Sequence, residues 1–297
     1  MNSRQVATLV IATMCAGVEA RAQTTSDTTI APRAGAVLDL GMWDGHVSIT
    51  VWDEPRVRVR ATHSSSVRTA VVSSDSAITV RSSAARRNDN VVRYEIQVPR
   101  NFNVRIVAND AELSTVGATG KVTVSVQHGR VELEGTVGAT TVTMFRGPVT
   151  IRRARGSISA TTLRGDIDIA DVRGSVAVRN TDGHIHLADI DGDSVTAASV
   201  EGEVAYSGFL GRRGFYRLVS HNEQVRLAHR AGASATIHGF AVNGTFDRLV
   251  DWRREVANDP RSMRMVLGLG EATVQLQSFH GNVEVGVQRN ARGASSP

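Results

Sequence analysis

The stretch "GSISATTLRGDIDIADVRGSVAVRNTDGHIHLADIDGD" runs from Gly156 to Asp193, and a glycine opens every ninth residue of it. The same spacing continues toward the N-terminus. The glycines in phase are Gly120, Gly129, Gly138, Gly147, Gly156, Gly165, Gly174, Gly183 and Gly192. A fixed period is typical of solenoid proteins, in which each repeat stacks on the next. Because glycine accepts positive φ without a Cβ clash, we interpret these nine residues as structural turn glycines.

The residues between the glycines predict short strands. In most of the nine-residue units the third and fifth positions are apolar, as in Ile167 and Ile169, and such alternation indicates a strand with one buried face. Alternate units also carry an apolar eighth residue: Ala154, Val172 and Ile190. The sequence therefore predicts an all-β fold, a β-solenoid with about 18 residues per coil, made of two nine-residue strand–turn units. Residues 18 apart would then be neighbours in space.

Composition also gives the expected order of segments along the chain. Residues 1–22 read as a signal peptide, with a basic Arg4, a short apolar stretch and small residues at Ala20 and Ala22. Residues 23–36 are predicted to be a linker and 288–297 a disordered tail. Between them we expect a single β-solenoid domain over 37–287, with regular repeats in 120–206.

The segment 245–265 breaks the repeat. Leu249, Trp252 and Val256 would form one face of a short helix that ends near Pro260. The simpler interpretation is a cap or an inserted loop, which solenoids need to blunt their last coil. The alternative is a protruding contact site with Trp252 and Arg253 exposed.

Charge and cysteine content limit the partners. The net charge is +5, and nearly all the basic residues are arginine, since Lys121 is the only lysine. Such a balance suits a polyanionic partner, but it also suits arginines dispersed among nearly as many acids on a solvated surface. Aromatic residues are only 4% of the chain, which argues against nucleic acid as a partner. No later apolar run is long enough for a transmembrane segment, and the single Cys15 lies in the predicted signal peptide, so we expect no disulfide.

The stacking of coils brings one chemically interesting group together. Asp166 and Asp168 should lie beside His184 and His186 of the next coil, with Glu203 one coil further. Imidazole and carboxylate groups bind zinc and similar ions. The alternative is ordinary His–Asp pairing on a wet strand face, which lacks the supporting groups of a metal site. We therefore predict no metal, no cofactor and no catalytic residue, and keep these five residues as the weak metal candidates.

The same stacking predicts two surface ion pairs at the corners, Arg164–Asp182 and Arg173–Asp191. Calcium binding of the nonapeptide type is rejected, because that motif needs Gly-Gly-x-Gly-x-Asp. Gly-x-Ser-x-Gly and His-Glu-x-x-His are also absent from the sequence. The main enzyme hypothesis is a polysaccharide lyase or hydrolase, which would require two facing carboxylates in a cleft within 206–265.

The sequence also resembles the DUF4097 family of β-strand-repeat proteins, which are named as adhesins. The resemblance is carried by "GHVSITVWDEPRVRVRA" (45–61), "GDIDIADVRGSVAVRNTDGHIHLADIDG" (165–192), "GFYRLVSHNEQVRLAHRAGASATIHG" (214–239) and "LGLGEATVQLQSFHGNVEV" (267–285). It implies an exported β-solenoid, in some members linked to the cell envelope, and it transfers no catalytic residue.

These observations predict an exported, non-enzymatic protein of the periplasm or cell surface. Its role would be structural, adhesive or binding, with an envelope glycan or protein as partner. The alternative is a glycan-active enzyme, a lyase or hydrolase, on a β-helix scaffold.

Overall fold

The computed structural model describes residues 23–84, 91–117, 119–248, 254–255 and 261–288. These residues form strands and turns only, so the all-β prediction is confirmed for the described part of the chain. Accordingly, the described residues include no helix long and apolar enough to cross a membrane. The predicted signal peptide, almost all of the predicted tail, and the positions Leu249, Trp252 and Val256 of the predicted helix lie outside the described residues.

The chain divides into two compact units, Met1–Thr141 and Val142–Pro297, which we describe separately. The strands of the first unit are β1 (Gln23–Ile30), β2 (Val37–Trp52), β3 (Val57–Ser64), β4 (Val67–Ser73), β5 (Ala77–Ala84), β6 (Val91–Pro99), β7 (Asn103–Val116) and β8 (Val122–Glu134).

The long strand β2 organises the first unit. It pairs in parallel with β5 and then with β6 on one side, and in parallel with β7 on the other. β8 follows β7 in parallel, whereas β3 lies antiparallel to β6 and to β1. The lateral order in this part of the sheet is therefore β1–β3–β6–β2–β7–β8.

The structure differs from the linker prediction at residues 23–30. These residues form β1, which is in register with β3 along its whole length, from Gln23 opposite Ser64 to Ile30 opposite Val57. Most of β1 is exposed, so the strand lacks the alternation of buried apolar residues by which a strand is recognised in a sequence.

The strands of the second unit begin with β9, whose first two residues belong to the first unit. They are β9 (Thr140–Arg146), β10 (Val149–Arg155), β11 (Ile158–Arg164), β12 (Ile167–Arg173), β13 (Val176–Asp182), β14 (Ile185–Asp191), β15 (Ser194–Glu201), β16 (Val204–Gly208), β17 (Phe215–Ser220), β18 (Val225–His229), β19 (Ala235–Ala241), β20 (Phe246–Arg248), β21 (Arg254–Glu255), β22 (Ser262–Leu267), β23 (Ala272–Ser278) and β24 (Val283–Val287).

Two ladders of parallel strands run through this unit. One ladder has the order β10–β12–β14–β16–β18–β24, and the other has the order β11–β13–β15–β17–β23–β19. β22 adds an antiparallel strand to β19. Ile167 is the register partner of Ile185, and both are fully buried. Apolar residues at equivalent positions of successive strands thus form the core.

Apart from Gly129, which lies inside β8, the repeated glycines lie where the chain turns between strands. An added Cβ on Gly165 would lie 2.2 Å from the carbonyl oxygen of Gly147, and one on Gly174 would lie 2.1 Å from that of Gly156. Both glycines also have positive φ, 129° and 139°. A side chain at these corners would therefore collide with the backbone of the turn stacked against it.

A second kind of corner lies inside β10, β12 and β14. Arg153, Asp171 and Asp189 have φ between 51° and 54°, the left-handed conformation. The residue after each of them points inward and is buried, which explains the apolar eighth residues: Ala154, Val172 and Ile190. The two halves of the predicted repeat therefore differ because only one of them contains this extra turn.

Two buried tyrosines hold the loop that follows β16. The Tyr216 hydroxyl donates to the Gly192 carbonyl oxygen at 2.6 Å and accepts from the Gly211 N–H at 2.7 Å. The Tyr206 hydroxyl donates to the Phe209 carbonyl oxygen at 2.6 Å. Burial raises the pKa of both phenols, so they remain neutral donors well above pH 7.

Candidate binding surfaces

The structure brings the predicted histidines and aspartates together on one strand face. Asp168 and His186 are register partners, and the Nδ1 atom of His186 lies 3.3 Å from the Oδ1 atom of Asp168. The backbone N–H of His184 donates to Oδ1 of Asp166 at 2.8 Å. The two imidazole rings stand parallel, with centroids 6.1 Å apart. The cluster is thus a ladder of pairwise contacts along the surface.

Glu203 joins this ladder but turns its carboxylate away from the histidines. Its backbone N–H donates to Nδ1 of His184 at 3.1 Å, whereas its carboxylate pairs with Arg226 at 2.8 Å and accepts from Gln224 at 3.1 Å. Arg226 also donates to Glu284 at 2.6 Å, and this bond raises the pKa of the guanidinium. In the part of the chain that the structure describes, no three His, Cys, Asp or Glu side chains converge as they would around a metal ion. The arrangement suits pairwise ion contacts on a wet surface.

The corner ion pairs are found in part. Nε of Arg164 lies 3.9 Å from Oδ2 of Asp182, as predicted. Arg173 and Asp191, both of which the structure describes, are register partners, but no ion pair joins them. Exposed side chains of this length gain little from pairing in water, so register alone does not fix their contact.

The first unit carries an open groove across β6, β2, β7 and β8, with a volume of 550 Å³. We call it the charged groove. Its outward-pointing lining residues are His46, Ser48, Arg93, Glu95, Glu112, Ser114, Arg130 and Glu132. These residues come from equivalent positions of the four strands, so they form two straight rows across the sheet.

The first row of the charged groove has an arginine at each end. It runs from Arg93 through His46 and Glu112 to Arg130, each residue being the register partner of the next. Nδ1 of His46 lies 2.9 Å from Oε2 of Glu112. Parallel strands place such partners about 4.8 Å apart, so charges and hydrogen-bonding groups recur at even spacing.

The second row places hydroxyls between acids. It runs from Glu95 through Ser48 and Ser114 to Glu132. A weak ion contact of 3.7 Å joins Glu132 to Arg130 of the first row. The groove thus offers donors and acceptors in alternation and is well suited to hold an extended polar molecule.

Further charged pairs continue the same face onto β3 and β1. Arg58 and Arg60 of β3 both pair with Asp27 of β1, at 2.5 and 3.2 Å. Arg60 also lies 3.7 Å from Glu95 at the rim of the charged groove. The hydrogen bond from Arg58 holds the pKa of Asp27 below its ordinary value.

Sequence reasoning missed the charged groove, although it predicted the strands that build it. The alternation in 45–51 identifies His46 and Ser48 as outward residues. Their neighbours on β6 and β7 lie far along the chain and outside the nine-residue repeat. The 18-residue spacing places Glu112 beside Arg130, but without the register of β2 nothing in the sequence brings Arg93 and His46 to the same surface.

No family model matches the chain, and no curated protein matches it, so DUF4097 membership stays a prediction. Solved structures do resemble it over most of its length. A "putative cell adhesion protein" from Clostridium sporogenes has 9% identity and a TM-score of 0.25, covering 89% of this chain and 100% of its own. A "putative adhesin" from Bacteroides fragilis has 10% identity and a TM-score of 0.44, covering 90% and 98%.

A third solved structure, a "putative adhesin" from Parabacteroides merdae, has 13% identity and a TM-score of 0.25, covering 89% of this chain and 95% of its own. Because all three TM-scores are below 0.5, we rest the function on the surfaces of the chain itself.

Proposed function

We propose that this chain is an exported, non-enzymatic binding protein of the cell envelope and that the charged groove holds a glycan or protein of the envelope. The observation that carries the proposal is the pair of straight rows from Arg93 to Arg130 and from Glu95 to Glu132. Evenly spaced groups on a rigid sheet bind a polymer by many weak contacts, and none of these contacts requires a bond to be made.

Two finer features belong to the same proposal. We infer that a coil of the regular part contains about 18 residues, which is supported by partners such as Asp168 and His186 at that separation. We also infer export to the periplasm or cell surface, which is supported by the basic, apolar and small-residue pattern of residues 1–22.

Removing the cations of the charged groove tests the proposal. The purified protein is screened against glycans and envelope fractions, and the best binder is titrated against the double variant Arg93→Ala/Arg130→Ala. We expect about a tenfold loss of affinity, because each exposed charge contributes modestly and the two act together. The matched control is Arg33→Ala/Arg100→Ala, which removes the same charge from exposed ion pairs outside the groove. Equal losses in both variants would contradict the proposal.

The glycan-active enzyme remains the second candidate, favoured by one observation. Glu112 and Glu132 project into the same groove from neighbouring strands, and glycosidases act through two carboxylates. Both glutamates already contact basic side chains, Glu112 that of His46 and Glu132 that of Arg130, which suits binding better than acid catalysis. Release of reducing ends from the bound glycan, abolished by Glu112→Gln, would establish the enzyme instead.

A further inference from the structure

The second unit carries an outer face on which, among the described residues of its strands, acids occur only at strand ends, as Asp182 of β13 and Glu201 of β15. The face is formed by β13, β15, β17, β23 and β19, and we call it the arginine face. The exposed and half-exposed residues of its central part are Ala177, Arg179, Ser194, Thr196, Ala198, Phe215, Arg217, Val219, Thr236, His238, Phe240, Thr273, Gln275 and Gln277. The other ladder of this unit has Asp168, Glu203 and Glu284 on its outer side. That ladder also carries exposed arginines, Arg152 and Arg173, so it mixes both signs of charge.

The two arginines that lie within the arginine face have neutral neighbours across the strands. The register partners of Arg179 are Thr161 and Ala198. Those of Arg217 are Thr196 and Gln275. Since β15 separates their strands, the two guanidinium groups rise from backbones roughly 10 Å apart. Two cations without a carboxylate among their register partners attract an anionic partner.

One aromatic ring stands beside Arg217, and a second lies two strands away on β19. Phe215 precedes Arg217 by two positions on β17 and is 40% exposed, and Phe240 of β19 is 37% exposed. Exposed phenylalanines are costly in water, and the face of each ring attracts the C–H hydrogens of a partner. Sugar rings present such hydrogens on their flat sides, so the pair of rings suits a carbohydrate.

Neutral hydrogen-bonding side chains lie between the two phenylalanines. Thr273 and Gln275 of β23 lie between the strands of Phe215 and Thr236, and each has polar side-chain atoms for sugar hydroxyls. A guanidinium binds carboxylate or sulfate groups in a bidentate manner. We infer that the arginine face binds an acidic polysaccharide, with Arg179 and Arg217 on its anionic groups and Phe215 and Phe240 against its sugar rings. This inference is independent of the charged groove, which lies in the first unit.

Binding to polygalacturonate, a chain of carboxylated sugars, tests the inference in the full-length protein. We expect binding that weakens as salt rises, and about a tenfold loss of affinity in Arg179→Ala/Arg217→Ala. The matched control is Arg152→Ala/Arg173→Ala, which removes two exposed arginines from the other ladder of the same unit and should change affinity less than about twofold. No binding, or equal losses in the two double variants, would overturn the inference.

Further measurements distinguish recognition of the sugar rings from recognition of negative charge alone. Phe215→Ala should weaken polygalacturonate binding severalfold and leave the weaker binding of polyglutamate unchanged. Polyglutamate bound as tightly as polygalacturonate would show that an acidic polypeptide is the partner, and polythymidylate bound more tightly would show a nucleic acid. Either result overturns the inference. The charged groove is tested apart from it, because Arg93→Ala/Arg130→Ala should leave polygalacturonate affinity unchanged.

Discussion

At the residue scale, the corner glycines have two separate reasons to be glycine. Gly174 has positive φ, and its added Cβ would also lie 2.1 Å from a carbonyl oxygen. Gly138 has positive φ as well, but its nearest neighbour would lie at an ordinary 3.6 Å. A side chain at Gly138 would cause backbone strain alone, whereas one at Gly174 would cause both strain and a steric clash.

We expect Gly174→Ala to lower the free energy of unfolding by about 3 kcal/mol or more, since strain and overpacking add together. Gly138→Ala should cost about 1–2 kcal/mol, from strain alone. Urea unfolding followed by circular dichroism measures both values. Equal losses would mean that the stacked carbonyl moves aside without cost.

The turns at the residues with left-handed φ could not be predicted from the sequence. The buried Val172 and Ile190 were recognisable as apolar eighth residues, but the turn that buries them occurs at Asp171 and Asp189. Aspartate tolerates left-handed φ, yet it is also common on any strand surface. Its identity alone therefore does not predict such a turn.

At the scale of elements, β1 is attached to its neighbour by charge more than by apolar burial. Asp27 pairs with Arg58 and Arg60 of β3, while most of β1 is exposed. The lowered pKa of Asp27 means that its carboxylate favours the folded state. This contribution is fully present above the unfolded pKa of about 3.8 and is lost as the pH falls through the folded pKa.

We therefore expect Asp27→Asn to lower the urea midpoint at pH 7 by less than Gly174→Ala does. The difference from the wild type should shrink as the pH falls below about 3.8, because the wild-type carboxyl then becomes neutral as well. Asp75→Asn is the control, since Asp75 forms an ion pair but is 83% exposed. A difference that persists undiminished at low pH would show that the carboxylate charge is not responsible.

Whether a strand was predictable from the sequence depends on how far along the chain its neighbouring strand lies. Strands β10 to β14 were predictable because each pairs with a near-copy of itself at a fixed separation, as Asp168 does with His186. The charged groove and the arginine face were not predictable as surfaces. β2 is not part of a repeat. The loops before Phe215 and Ala235 interrupt the nine-residue spacing, so the pairing of the later strands cannot be predicted from that spacing.

At the scale of the whole molecule, the regular register implies that a complete coil is a removable unit. Deleting residues 165–182 joins Arg164 to Gly183 and leaves each apolar strand opposite an equivalent one, such as Ile151 opposite Leu187. We expect a soluble protein with a strand-type circular dichroism spectrum and cooperative unfolding.

Deleting only residues 165–173 is the matched comparison. It places a strand of one ladder where a strand of the other belongs and removes the extra turn at Asp171, so we expect aggregation or loss of cooperative unfolding. The inference of about 18 residues per coil would be abandoned if the shorter deletion folded as well as the longer one.

This register also affects how the protein can change over generations. An in-frame duplication of one coil's coding sequence inserts a segment that already matches the strands above and below it. Each such event would add one strand to each ladder and so lengthen the outer row of each ladder by about 4.8 Å. Tandem duplication would thus allow the length of the protein to evolve in steps of one coil, to match the length of its target, with no change to the packing of the core.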